Sequence, residues 1–187
     1  WLIRAAAQAT GVYPASTREL YLARGRGEVA GFTVPAINAR MLTYDSAWAA
    51  FAVARELGVG ALIFEMARSE MGYTWQSPDE YACMVLAAAV KSGFQGPVFI
   101  QGDHFQVNRQ RFRTDPDGEL SALRQLIQEA IAAGFYNIDI DASTVVDTTQ
   151  TDPRREQEPN CRIAAELTEY IGRLQPPGIS ISVGGEI

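Results

Sequence analysis

Residues 77–104, SPDEYACMVLAAAVKSGFQGPVFIQGDH, decide the fold. Ser77 and Glu80 form a capping box, with Pro78 at the first helical position, where its missing N–H costs nothing. The alanine-rich run behind them keeps helical spacing through about Lys91 and stops at Gly93. Pro97-Val98-Phe99-Ile100 is then a continuous apolar run of the kind found in strands buried on both faces, and it ends on the polar group Gln101-Gly102-Asp103-His104.

The same order recurs on either side. Ser16 to Arg24 reads as a short helix opened by a Ser16/Glu19 capping box, with residues 1–15 as an N-terminal helical extension. Residues 31–38 read as a strand weakened by Pro35, which cannot donate a ladder hydrogen bond. Ser46 to Leu57 reads as a helix ending at Gly58, and Ala61 to Phe64 as a buried strand. Downstream come a helix from Glu119 to Ala133, a strand from Asn137 to Asp141, a helix from Pro159 to Leu174 and a last strand reaching Ile187. Strands alternating with helices at this spacing predict an α/β domain over residues 1–187 with a parallel sheet. Two arrangements satisfy the pattern: a partial (β/α)8 barrel, whose complete form takes ~250 residues, or a complete doubly wound sheet.

The chain has 187 residues, 47% hydrophobic and 20% charged, enough for one buried core. Its 16 basic and 22 acidic residues leave a net charge of -6, which disfavours nucleic acid and anionic membrane surfaces as partners. No apolar run approaches the ~20 residues of a membrane span, and the start lacks a signal-peptide layout. Cys83 and Cys161 lie far apart in helix-like stretches, so neither a disulfide framework nor a Cys-x-x-Cys metal site is expected, and a reducing, cytoplasmic setting is. The first residue is Trp1 and the last strand has no polar tail, so the chain is expected to be a piece of something longer.

In parallel α/β architectures the chemistry collects at the carboxyl ends of the strands. Those ends carry Asn38, Glu65, Asp103 with His104, Asp141 with Ser143, and Glu186. His104 is the only histidine, and with Asp141 and Glu186 it makes a nitrogen and oxygen donor set suited to zinc or another divalent ion. Asp103 beside it is placed to exchange a proton with a substrate held on that metal. Each residue also has a plain structural reading: Asn38 and Ser143 as turn caps, Glu65 or Asp141 bonded to a helix start, His104 as a turn residue bonded to Asp103. Lys91, the only lysine, lies near a helix end, so no Schiff-base nucleophile is available on the rim. The alternating Arg109, Arg111 and Arg113 follow the third strand, either reaching an anionic substrate or lying on solvated surface. The degenerate G-x-G-x-x-A string at Gly25 follows a helix instead of a strand, and no G-x-S-x-G elbow occurs.

The rim segments resemble the class II ketose-bisphosphate aldolase family. Val34-Pro35-Ala36-Ile37-Asn38 is similar to its V-x-A-F-N pattern, Gln101-Gly102-Asp103-His104 to H-x-D-H, the segment from Gly134-Phe135 to Asp141-Ala142-Ser143 to G-F-x-x-x-x-x-D-x-S, and Val183 to Ile187 to V-E-x-E-L. The resemblance runs from about Ser16 to Ile187. It implies a (β/α)8 TIM barrel of which about the first five units are present. It also implies a zinc-dependent lyase that breaks or forms a C–C bond in a phosphorylated ketose. Asp103 would be the catalytic proton carrier and His104 a zinc ligand. Asp141 and Glu186 match positions that hold a second divalent metal in some members, and Asn38, Glu65 and Ser143 would bind the sugar phosphate. Gln101 stands where the pattern has its first histidine and Gly184 where it has its first glutamate. The remaining zinc histidines and phosphate loops are expected after Ile187.

Phe64-Glu65-Met66-Ala67 through Tyr73, Gly102-Asp103-His104 with Asn108, and Asp141-Ala142-Ser143 also resemble the non-catalytic barrel subunit that accompanies tagatose-bisphosphate aldolase. The expected partners are therefore a small-molecule sugar phosphate and either further copies of the chain or an aldolase subunit. A metal-dependent ketose epimerase on a related barrel is the third reading.

Overall fold

Six strands carry the fold: β1 (Val12–Ala15), β2 (Ala36–Asn38), β3 (Ile63–Ala67), β4 (Gly96–Gln106), β5 (Asn137–Asp141) and β6 (Ser182–Gly185). They come from a computed structural model that describes residues 1–187. Eight α-helices connect and flank them: α1 (Leu2–Ala9), α2 (Arg18–Gly25), α3 (Thr43–Leu57), α4 (Arg68–Thr74), α5 (Pro78–Ser92), α6 (Arg109–Thr114), α7 (Pro116–Ala133) and α8 (Pro153–Leu174). None is long and apolar enough to cross a membrane. Both cysteines are free thiols.

All strand pairs are parallel, and the order β2-β3-β4-β5-β6 follows the chain without reversal. β1 stands outside that order, pairing with the start of β4 instead of with β2, so the six strands form one parallel sheet of an α/β fold.

The sequence signals for α5 act as expected. The Glu80 N–H donates to Ser77 Oγ at 3.3 Å, Pro78 opens the helix, and Gly93 ends it in the left-handed conformation at φ 69°. Period-two alternation then divides the strand residues between two faces. Phe64, Met66, Val98, Ile100, Ile138 and Ile140 form one core with Phe51, Tyr81, Leu86, Leu123, Ile127, Ile163 and Leu167 of the helices. Each such side chain contributes roughly 1.5–3 kcal/mol by leaving water. The intervening residues Asn38, Glu65, Gln101, Asn137, Asp139 and Asp141 belong to the other face, which is polar toward the carboxyl ends.

Four local expectations change. Residues 1–15 are not only helical, because β1 pairs with the start of β4. Buried Asn137 holds it there: its Nδ2 donates to Ala15 O and Ile100 O, and its Oδ1 accepts from Thr17 N and Oγ1. The Ser16/Glu19 capping box does not form, since Thr17 is the N-cap, Ser16 Oγ accepts from Arg18 N, and Glu19 pairs with Arg18. Only residues 36–38 of the first predicted strand are in the ladder; Pro35 contributes a carbonyl to Ile63 N but has no donor to extend it. Finally, α8 starts at Pro153 behind an Asp152 cap, the same Pro-at-N1 signal that the sequence also offers at Pro159, which lies inside the helix.

Candidate active site

The site is built around a bulge in β4. Gln101 and Gly102 align with Asn137 and Ile138, whereas Phe105 and Gln106 align with Ile140 and Asp141, so β4 spends one more residue than β5 between them. The Phe105 ring lies under Gly102, where a Cβ would come within 2.5 Å of it. The bulge leaves Asp103 and His104 consecutive at the carboxyl end, with His104 in the left-handed region at φ 46°. A non-glycine residue there carries a strain of about 1–3 kcal/mol, which surrounding contacts must offset. One is visible: the His104 N–H donates to Asp139 Oδ2 at 3.3 Å.

His104 Nδ1 is 3.2 Å from Asp103 Oδ1, and Nε2 is 3.9 Å from Glu186 Oε1. Asp103, His104 and Asp139 each bring a ligand atom within 4.8 Å of the others. Burial works against charge on the imidazole. The hydrogen bond to Asp103 and the negative charges of Asp103, Asp139 and Asp141 outweigh it and raise the His104 pKa above 6.5. The Asp139 carboxyl is raised by burial and by Glu186, and Glu65 by burial and then by Asp103 and Glu70. All three shifts make the folded state hold protons more tightly, so the stability linked to them falls as pH rises through the folded values. For His104 that contribution is complete below 6.5 and disappears as pH passes its raised value. NMR of the metal-free protein should show the His104 imidazole, assigned by its loss in His104→Ala, titrating with a midpoint above 6.5 that Asp103→Asn lowers. A midpoint at or below 6.5 would contradict this geometry.

The other predicted residues divide. Glu65 joins the centre as a neighbour of Asp103, and its Oε2 accepts from Gln101 Nε2 at 3.3 Å. Asn38 lies beside Glu65 in register, with its Nδ2 donating to Glu70 Oε2 at 2.7 Å and its Oδ1 buried without a partner. Glu186 faces His104 from the end of β6. Asp141 and Ser143, expected as metal ligand and substrate contact, bond each other in a turn. Asp141 is buried, its Oδ1 accepts from Ser143 N and Oγ at 3.0 and 2.6 Å, and its Oδ2 accepts from Gln106 Nε2. An aspartate two residues before a serine bonds the local backbone in this way, and from the turn its charge still acts on the His104 imidazole.

Asp139 and Glu70 are the residues that sequence reasoning passed over. Asp139 had a signal, since Asn137-Ile138-Asp139-Ile140-Asp141 places Asp139 on the same face as Asp141. Glu70 is nearly buried; besides Asn38 it accepts from Ala67 N at 2.9 Å and pairs with Arg40 at 3.2 Å. It thereby fixes which way the Asn38 amide points. The bulge is supported from outside by Arg68, which donates to Gln106 O and pairs with Glu119, whose carboxylate also accepts from Asn108 N.

A cavity of about 980 Å³ lies at the opposite end of the strands, lined by residues such as Tyr13, Leu20, Phe32, Pro97 and Phe99. It contains none of the clustered carboxylates or the imidazole, so the chemistry is assigned to the rim and not to this cavity.

No protein-family model matches the sequence, and no curated protein matches it. Among solved structures, one named as a probable tagatose 6 phosphate kinase from Sinorhizobium meliloti 1021 is similar in fold, with TM-score 0.52 and 19% identity over 75% of this chain. The match spans 37% of that neighbour's length. At this identity the similarity establishes a shared α/β fold with a parallel sheet, and nothing about activity.

Proposed function

We propose that the protein is a metal-dependent lyase of the class II aldolase type, acting on a phosphorylated ketose, and that its chain-ordered parallel sheet is the first part of a (β/α)8 barrel. The observation that carries this reading is the meeting of Asp103, His104, Asp139 and Glu186 at the carboxyl ends of β4, β5 and β6. One imidazole with carboxylates is a donor set that fits zinc or a similar divalent ion. Asp103 on Nδ1 orients the ring and leaves Nε2, beside Glu186, as the ligand atom. Asp139 adds a third donor.

The chemistry that a divalent ion supplies at such a centre is polarisation of a ketone oxygen as a Lewis acid. Asp103 takes the proton from the substrate hydroxyl next to the bond that breaks, and returns one in synthesis. Glu65 and Asn38 bind further hydroxyls. The unpartnered Asn38 Oδ1 fits that role, because a buried acceptor left unsatisfied costs about 1–3 kcal/mol, and a hydroxyl donor removes the cost. The test is elemental analysis of the purified full-length protein, expected to carry stoichiometric zinc that falls when His104 is replaced by alanine.

Gly102-Asp103-His104 with Asn108, and Asp141-Ala142-Ser143, which resemble the partner barrel of tagatose-bisphosphate aldolase, support one second reading, a non-catalytic subunit that stabilises a separate aldolase. That reading expects no stoichiometric metal and a co-purifying aldolase chain. An epimerase shares the metal and would convert unphosphorylated fructose or tagatose.

A further inference from the structure

Gly184 and Asp139 are register partners on β6 and β5. A Cβ at 184 would come within 2.9 Å of Asp139 Oδ1, closer than side chains tolerate. The Asp139 carboxylate therefore fills the space that a side chain at 184 would take. From there its other oxygen accepts from the His104 N–H, the contact that holds the left-handed turn of the bulge. The carboxylate is half-buried within the same group as Asp103 and the imidazole. Asp139 cannot keep this position beside any residue larger than glycine at 184. Conversely, a methyl there is opposed by the movable end of an aspartate and not by main chain, the nearest backbone atom being Asp139 Cα at 3.7 Å.

We propose that Gly184 admits the Asp139 carboxylate to the His104 centre, where Asp139 is a positioning residue for the Asp103–His104 bulge and increases the affinity of the centre for a divalent cation. The inference rests on the metal-centre reading above and assigns roles to two residues outside the expected ligand set. Gly184→Ala displaces the end of the Asp139 side chain from its contact with the His104 N–H and meets no main-chain atom closer than 3.7 Å. Asp139→Asn keeps the size and removes the charge.

The experiment is a double-mutant cycle on the full-length protein with Co²⁺ as the probe, followed by visible absorption, together with the backbone ¹⁵N–¹H signal of His104. Each single variant is expected to keep a cooperative melt and to lose about tenfold or more in Co²⁺ affinity, with the His104 amide signal displaced. The double variant should be no worse than either single one, because both act through the same carboxylate. A purely structural role for Gly184 predicts additive losses. Additive losses, or a Gly184→Ala protein with wild-type Co²⁺ affinity and an unmoved His104 amide, overturn the proposal. If the parent protein takes up no Co²⁺, the metal-centre reading and the cation half of the proposal both fail. The amide signal alone then decides the positioning half: an unmoved signal in Gly184→Ala refutes it, and a non-additive displacement across the cycle supports it. Co²⁺ uptake that neither variant alters refutes this inference and leaves the metal-centre reading standing.

Discussion

Asp103→Asn in the full-length protein is expected to lower cleavage of a ketose bisphosphate by about two to four orders of magnitude while zinc content stays close to the parent's. The two effects separate because asparagine still accepts a hydrogen bond from His104 Nδ1, at the position where Asp103 Oδ1 now lies 3.2 Å away. Ring orientation, and with it the ligand atom Nε2, is therefore retained, and only the proton acceptor is lost. Steady-state turnover and elemental analysis on the same preparation check both parts. Activity within about tenfold of the parent would remove Asp103 from the role of proton carrier.

The largest effect on stability is expected from Arg68→Ala. Glu119 has a side chain with 0% exposure, and Arg68 is its only cationic partner. Removing Arg68 leaves the carboxylate buried and supported only by the Asn108 N–H, at a cost of about 3–5 kcal/mol. It also frees Gln106 O, to which Arg68 donates at 2.7 Å just beyond the bulge. Denaturant unfolding should show that loss in the midpoint with little change of slope. Replacing both Arg68 and Glu119 by apolar residues of similar volume should recover much of it, because the buried unpaired charge then disappears. A loss below about 1 kcal/mol for Arg68→Ala would mean that the pair behaves like an exposed one.

The alternation of elements was legible because its signals are local. Ser77-Pro78, the Gly93 stop and the apolar run 97–100 each act on their own neighbours, and α5 and β4 form where those signals fall. Strand ends were legible for the same reason, and they led to Asp103, His104 and Glu65. What was not legible depends on register between distant segments. The bulge exists only as a mismatch of β4 against β5, and it is what places Asp103 and His104 side by side at the rim. The Gly184 and Asp139 relation spans two strands separated by α8 and has no local signature. β1 was hidden because Val12-Tyr13-Pro14-Ala15 is short and contains proline; it is secured by Asn137, far away in sequence. Asp141 ends β5 as the sequence suggests, and what was not legible is that its carboxylate accepts from Ser143 two residues on.

The proposed lyase function requires a divalent metal held at His104 for C–C cleavage, and triose phosphate release by the full-length protein measures this directly. The substrates are fructose 1,6-bisphosphate and tagatose 1,6-bisphosphate, offered to chelator-treated protein before and after addition of zinc. Release from at least one of them is expected only after zinc is restored. No release from the zinc-loaded protein, or equal release without metal, would contradict it.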